Sequence, residues 1–109
     1  MKVAVSTENY QVASHFGRCP EFTIAEVKDE KIVDKEVIPN PGHKPGFLPR
    51  FLSEKGVGCV IAGGMGERAK QIFDSNGIDT IVGVEGEVES VIKNYIGGNL
   101  SGSDSYCEH

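Results

Sequence analysis

The feature that most constrains the fold is a short apolar run that leads directly into a glycine-rich turn. The run, Val57–Ala62, is rich in β-branched residues, which is typical of a strand buried on both faces, most often a central parallel strand. Three glycines lie within the next four residues, Gly63–Gly66, and helical spacing follows from Glu67. A buried strand that turns tightly into a helix is half of a βαβ crossover, so the chain is expected to form an α/β domain.

The N-terminal part of the chain predicts three antiparallel strands. Residues 2–6 alternate as a strand does, and Glu21–Lys28 and Lys31–Ile38 are enriched in strand-forming residues. Only Asp29 and Glu30 separate the latter two segments, which predicts a hairpin. Charged residues interleave the third strand, indicating an exposed face or an edge position. Residues 10–20 show no sustained period and are predicted to be a long loop.

The C-terminal part predicts helices alternating with strands. Helical spacing begins at Phe47 and ends at Gly56, and a second helix is expected over residues 67–76, before an apolar strand at 78–84. The last helix has the clearest pattern, with apolar residues at i, i+3, i+4, i+7 and i+8 from Val88. The predicted fold class is therefore α/β, with a mixed five-stranded sheet (three antiparallel N-terminal strands, then parallel βαβ crossovers) and about three helices.

Length and charge limit the classes of function. The 109 residues suit one domain, predicted over residues 1–100, and the Gly/Ser-rich residues 101–109 are predicted to be a flexible tail. A net charge of -5 disfavours general nucleic-acid binding and polybasic membrane contact. Neither a transmembrane run nor a signal-peptide pattern is recognised, so a cytoplasmic location is expected. Three cysteines without a Cys-x-x-Cys motif indicate reduced thiols rather than a disulfide framework.

Two loops carry residue types that could bind an anion or a metal. His15, Arg18 and Cys19 lie within five residues of each other; imidazole and thiolate are ligands for soft metals, and guanidinium pairs with anions. In Gly63–Gly66, main-chain N–H groups at a helix N-terminus could attract an anion. The motif is neither a Walker A loop nor Gly-x-Gly-x-x-Gly. Structural alternatives stay open: a surface loop, a turn that needs positive φ, and Cys19 as a small buried side chain.

The remaining candidates are weaker. His43 lies in a Pro/Gly-rich loop and is more typical of an exposed histidine, and Cys59 is predicted to be an inert core residue. Cys107 and His109 have the chemistry of metal ligands and lie on the predicted tail, which could close over a cluster. No catalytic triad and no nucleophile elbow is recognised. Catalysis is therefore poorly supported by the sequence.

Three segments together resemble a known family. Ser14–Arg18, Ile61–Gly66 and Ile92–Leu100 are similar to the NifX-like dinitrogenase iron–molybdenum cofactor biosynthesis family, and the similarity covers roughly residues 1–100. The resemblance implies a ribonuclease-H-like, three-layer α/β fold without nuclease activity. It also implies carriage or storage of iron–sulfur or molybdenum-containing clusters, with His15 matching the histidine implicated in cofactor binding.

The sequence and the resemblance together favour a non-catalytic carrier of an anionic metal cluster. Its partners would be the cluster itself and the proteins that donate and accept it. The predicted cluster-binding residues are His15, Phe16, Gly17, Arg18, Cys19, Gly63, Gly64, Met65 and Gly66, and the predicted metal ligands are His15, Cys19, Cys107 and His109. Two alternatives stay open: a protein-interaction module that holds no cluster, and a small enzyme acting on an anionic metabolite at Gly63–Gly66, with His15 or His43 as general base.

Overall fold

The computed structural model describes residues 1–42 and 47–97, which form one mixed β-sheet with helices on both faces. In chain order the strands are β1 (Lys2–Glu8), β2 (Gln11–Val12), β3 (Glu21–Lys28), β4 (Lys31–Pro39), β5 (Val57–Ile61) and β6 (Asp79–Ile81). The helices are α1 (Phe47–Glu54), α2 (Glu67–Ser75) and α3 (Val88–Ile96), and a 3-10 turn spans Phe16–Arg18. None of the helices in these two ranges is long and apolar enough to cross a membrane.

The sheet has the predicted mixture of antiparallel and parallel pairs. Its strand order is β4-β3-β1-β5-β6, with antiparallel pairing from β1 through β3 to β4 and parallel pairing from β1 through β5 to β6. The continuous apolar run therefore forms β5, which lies between two parallel neighbours, as expected for a strand buried on both faces. β4 is an outer strand, and its register with β3 shifts so that Val33 has no opposite residue.

The prediction of five strands was wrong by one, because the sheet has six. The extra strand, β2, lies inside the segment predicted to be a loop and pairs with the end of β1. Asn9 and Tyr10 between them both have positive φ, 52° and 67°, which is the geometry of a two-residue hairpin turn. A two-residue strand is too short to show an alternating pattern, so the sequence carries little signal for it.

Alternate side chains of the central strands divide the core into two layers. Ala4 and Val60 face α1 and α2, whereas Val3 and Cys59 face α3. The buried helix residues on the first side are Leu48, Leu52 and Phe73, and those on the second are Val88, Val91 and Ile92. The result is a three-layer domain with helices covering both faces of the sheet.

The strand predicted over residues 78–84 is shorter in the structure. Gly83 has a φ of 78°, which interrupts regular strand geometry just after β6. Val82 and Val84 nevertheless stay buried, one in each core layer. The N–H groups of Gly83 and Val84 still donate to the carbonyls of Gly63 and Ala62, so the segment follows β5 without regular strand geometry. β1, β5 and β6 run parallel, so the segments that follow them meet at one edge of the sheet.

Candidate functional site

The two predicted loops lie side by side at this edge of the sheet. We call residues 13–19 the His15 loop and residues 63–66 the glycine turn; they follow β2 and β5, respectively. The N–H of Gly63 donates to the carbonyl of Ala13 at 3.0 Å, and the N–H of Phe16 donates to the carbonyl of Gly64 at 2.9 Å. Main-chain hydrogen bonds therefore hold His15 directly beside the glycine turn.

Close packing of main chains explains the glycine at position 63. A Cβ atom there would lie 2.8 Å from the Ala13 carbonyl oxygen and 2.9 Å from Ser14 Cα. Both distances are well inside van der Waals contact, and both neighbours are backbone atoms that cannot rotate away. The three glycines of the described turn do not adopt positive φ, so the turn does not need glycine for its dihedral angles. At Gly63, glycine permits the two loops to touch.

Apolar side chains anchor both loops to the core. The Phe16 ring packs against Phe22 and Phe73, with ring centroids 5.5 and 5.3 Å away. Met65 is buried in the same layer, on the side of the sheet covered by α1 and α2. Phe16 and Met65, both predicted to contact a cluster, thus have a clear structural role in fixing the backbone on either side of the site.

The outer surface of the site carries an imidazole and a guanidinium group. His15 and Arg18 are exposed, whereas Phe16 between them is buried. In the glycine turn, the N–H groups of Gly64, Met65 and Gly66 donate to no main-chain carbonyl in the part of the chain that the structure describes. Gly66 is the N-cap residue of α2 and has no side chain with which to cap the helix. Main-chain N–H groups at a helix start, together with the Arg18 guanidinium, favour an anion at this surface.

Cys19 lies below this surface. It is 2 % exposed, and its Sγ donates to the Phe16 carbonyl at 3.2 Å. Burial raises the pKa of the Cys19 thiol to about 11, so the thiol is protonated at neutral pH. A metal ligand must be the thiolate, and therefore this geometry stabilises Cys19 as a core side chain. Its role as a ligand stays a prediction.

The described residues contain no group of three or more His, Cys, Asp or Glu side chains able to hold a metal ion. His43, Cys107 and His109 lie outside the described residues, as do residues 101–109 predicted to be a tail, so those predictions are untested. Cys59 is fully buried, as expected, and burial raises the pKa of its thiol to about 11. Within the described part, His15 is thus the predicted metal ligand placed at the surface.

A cleft of about 650 Å³ lies elsewhere, between β4 and α3. Lysines line it, but Lys35 and Lys93 each lie 3.8 Å from a Glu89 carboxylate oxygen. Its cationic groups are therefore largely matched by the protein's own carboxylate. We call the surface where the His15 loop meets the glycine turn the mouth. On charge, the mouth is the better candidate for binding an anion.

Asn40 is a residue of this site that the sequence analysis missed. Its side chain donates to the carbonyl of Cys19 at 2.8 Å, from a segment that is distant in sequence. The surrounding Pro-Asn-Pro-Gly sequence, residues 39–42, indicates a turn. Nothing in that pattern identifies the loop that Asn40 contacts, because the contact depends on the pairing of β3 with β4.

Comparison with known proteins identifies the family. Residues 1–98 match the dinitrogenase iron–molybdenum cofactor family, and the match includes the His15 loop and the glycine turn. The chain belongs to this family. The resemblance carried by the two loops and the last helix is thereby confirmed. The ribonuclease-H-like classification of the fold stays a prediction.

Individual relatives and solved structures are similar to the chain over most of its length. An uncharacterised protein of Methanocaldococcus jannaschii is 31% identical over 105 residues, which cover 92% of this chain and 89% of that protein. The crystal structure of a protein named PH0822 is 35% identical, with a TM-score of 0.89 and full coverage of both chains. The apo form of the orange protein from Desulfovibrio gigas has a TM-score of 0.79 at 19% identity, covering 95% and 93% of the two chains, which shows a shared fold.

Proposed function

We propose that this member of the dinitrogenase iron–molybdenum cofactor family is a non-catalytic carrier of an anionic iron–sulfur or molybdenum-containing cluster. The observation that carries the proposal is the pair of main-chain hydrogen bonds joining the His15 loop to the glycine turn. These bonds place a candidate ligand beside main-chain donors at the start of a helix. The family assignment supports a cluster of this class as the cargo.

Each part of the mouth would have a distinct chemical task. The His15 imidazole would coordinate a metal of the cluster. The Arg18 guanidinium and the N–H groups of the glycine turn would offset the cluster's negative charge. Local groups must do this, because the overall charge of -5 repels an anion. Phe16 and Met65 would hold the backbone in place without contacting the metal.

Within residues 1–42 and 47–97, a single predicted ligand at the surface, His15, suits a carrier. A carrier must release its cargo, and a cluster held through one imidazole keeps other coordination positions for an acceptor's ligands. Cys19 could join only if its thiol left the core and lost its proton, so the proposal does not use it in the described geometry. Additional coordination by Cys107 and His109 stays a prediction.

Docking of partners is part of this proposal. A carrier needs contact with proteins that donate and accept the cluster, and the exposed His15 lies on the surface where they would dock. A pure interaction module would use the same surface without cargo. An enzyme acting on an anionic metabolite would also use the glycine turn, and both alternatives make different predictions in the experiment below.

The experiment is anaerobic reconstitution with ferrous iron and sulfide, and in parallel with thiomolybdate. We expect bound metal and visible absorbance in the wild type, and loss of most of both in His15→Ala. Arg18→Ala should bind about tenfold more weakly, because a charge-assisted contact is lost. Arg50→Ala is the matched control, since Arg50 is also exposed but pairs with Glu54 on α1.

Equal metal uptake by His15→Ala and the wild type would exclude His15 as the ligand. No uptake by the wild type from either mixture would contradict the carrier function. Calorimetry with a simple phosphate ester would then separate the alternatives. Binding of the ester at the glycine turn favours the enzyme, whereas capture of partners without cargo favours the interaction module.

A further inference from the structure

We propose that Asn40 is a positioning residue for the His15 loop. It joins the segment after β4 to the loop and thereby fixes the arrangement in which His15 and Arg18 meet the cargo. This inference rests on the proposed function for the identity of the cargo. The positioning itself rests on contacts within the described residues.

Asn40 uses both its side chain and its main chain in this role. Its Nδ2 donates to the carbonyl of Cys19 at 2.8 Å and to that of Gly17 at 3.4 Å. Its Oδ1 accepts from the N–H of Gly42 at 2.9 Å, and its own N–H donates to the carbonyl of Pro20 at 3.0 Å. The carboxamide is therefore held in one orientation, with its NH₂ group directed at the loop.

The two carbonyls bound by Asn40 flank Arg18. They belong to the end of the 3-10 turn Phe16–Arg18, where carbonyl groups lack partners within the turn. At the other end of the turn, the N–H of Phe16 donates to Gly64. Hydrogen bonds thus hold the loop at both ends of the 3-10 turn. His15 lies next to the hydrogen bond from Phe16 to Gly64, and Arg18 lies between the two carbonyls that Asn40 binds.

The contacts at position 40 match a carboxamide. The carbonyl oxygens of Gly17 and Cys19 accept from its NH₂ group while the N–H of Gly42 donates to its oxygen, and a carboxamide combines two N–H hydrogens and an acceptor oxygen in one planar group. An aspartate of the same shape would direct a carboxylate oxygen at the carbonyls of Gly17 and Cys19. Like partial charges would then push the end of the loop away, so Asn40→Asp tests the donor without changing side-chain size.

The test compares Asn40→Asp with Asn76→Asp. Asn76 is a matched control because its Nδ2 also donates to a carbonyl, that of Ile72 at 2.8 Å, but at the far end of α2. Asn40→Ser, with one hydroxyl donor, provides a milder variant if Asn40→Asp folds poorly. For each protein we would measure amide chemical shifts without cargo, thermal stability, and visible circular dichroism and metal affinity after reconstitution with iron and sulfide.

We expect Asn40→Asp to shift the amide signals of residues 15–19 and to bind metal about tenfold more weakly, as for the loss of one or two hydrogen bonds. The visible circular dichroism of the bound cluster should change as well, because its surroundings have moved. Asn40→Ser should fall between Asn40→Asp and the wild type. Asn76→Asp should lose comparable stability but keep the wild-type spectrum and affinity.

Two results would overturn the inference. Unchanged amide shifts at residues 15–19 in Asn40→Asp would show that Asn40 does not position the loop. Wild-type affinity and circular dichroism despite shifted amides would show that the positioning does not affect cargo. A wild type that binds no metal would instead contradict the proposed function, and shifted amides in the variant would still support the positioning of the loop.

Discussion

Two junctions hold the segment after β1 against the sheet, and they use glycine for different physical reasons. At the first junction the His15 loop meets the glycine turn. Gly63 does not have a positive φ there, but the neighbouring main chain leaves no room for a Cβ atom. At the second, the N–H of Val12 donates to Gly86 and that of Val88 donates to Tyr10. Gly86 has a φ of 117°, and its nearest side-chain neighbour would be 4.0 Å from a Cβ.

The contrast separates close approach from backbone conformation. Glycine at the first junction is required by a neighbouring chain, so its substitution must disturb the candidate site. Glycine at the second junction is required by its own dihedral angle, so its substitution strains the turn before α3. The same residue type therefore predicts different consequences for cargo binding, and mutations can test this.

The largest effect is expected for Gly63→Ala. The added methyl group meets main-chain atoms of Ala13 and Ser14, and overpacking of this kind should cost about 3 kcal/mol. We expect a lower midpoint in chemical denaturation and loss of metal uptake in the reconstitution experiment. A variant that keeps wild-type stability and uptake would show that the two loops can separate freely.

Alkaline pH is expected to destabilise both sides of the sheet, because each side holds one buried thiol. Cys19 lies on the side of the first junction and Cys59 on the side of the second, and burial raises the pKa of each thiol from 9.0 to about 11. The unfolded chain therefore releases these protons first. Their contribution to stability is complete below pH 9 and is lost as pH rises to about 11, by roughly 2 kcal/mol for each thiol.

Denaturation curves between pH 8 and 11 would check this expectation. Cys19→Ala and Cys59→Ala should each flatten part of the pH dependence, and the double variant should flatten most of it. If Cys19→Ala leaves the slope unchanged, the thiol near the site is more accessible than its burial indicates, and a role for Cys19 as a ligand becomes more attractive.

Gly86→Ala should have a smaller effect, about 1.5 kcal/mol, because an L-residue at this φ is strained while space for the methyl group is available. Metal uptake should stay close to that of the wild type. Thermal melting and reconstitution of the same sample would measure both quantities. Loss of uptake would mean that the second junction also shapes the site, and the contrast between the junctions would fail.

The smallest effect is expected for Gly17→Ala, within about 0.5 kcal/mol of the wild type. Gly17 lies in the His15 loop, but a Cβ there would meet nothing within 4 Å and its φ is not positive. Thermal melting of Gly17→Ala and Gly63→Ala under the same conditions compares an added methyl group on the two sides of the first junction. A large loss at Gly17 would indicate that the loop tolerates no added methyl group at all.

The sequence predicted those parts of the fold whose signal is local and repeated. The apolar run of β5, the hairpin break at residues 29–30 and the periodic pattern of α3 all lie within single elements, and the structure confirms them. β2 was missed because two residues carry no period. Strand β6 was predicted too long because Val82 and Val84 are buried without regular pairing.

The sequence predicted the residues of the two loops but not the tertiary contacts between them. Residues at the ends of neighbouring parallel strands meet by topology. The sequence predicted parallel crossovers but not which strands are neighbours, so the contact between the two loops follows from the observed pairing of β1 with β5. The close approach at Gly63 and the contacts of Asn40 depend on tertiary packing between segments far apart in sequence. The burial of Cys19 has the same origin, which is why its side chain was predicted among the ligands.

The outer strand β4 has a consequence for how the protein can associate. Its bulge at Val33 interrupts the even spacing of main-chain donors and acceptors, and charged residues such as Asp34 and Lys35 are placed along it. Such an edge is a poor template for a further strand from another molecule. We therefore expect pairing of β4 strands between copies of the protein to be disfavoured even at high concentration.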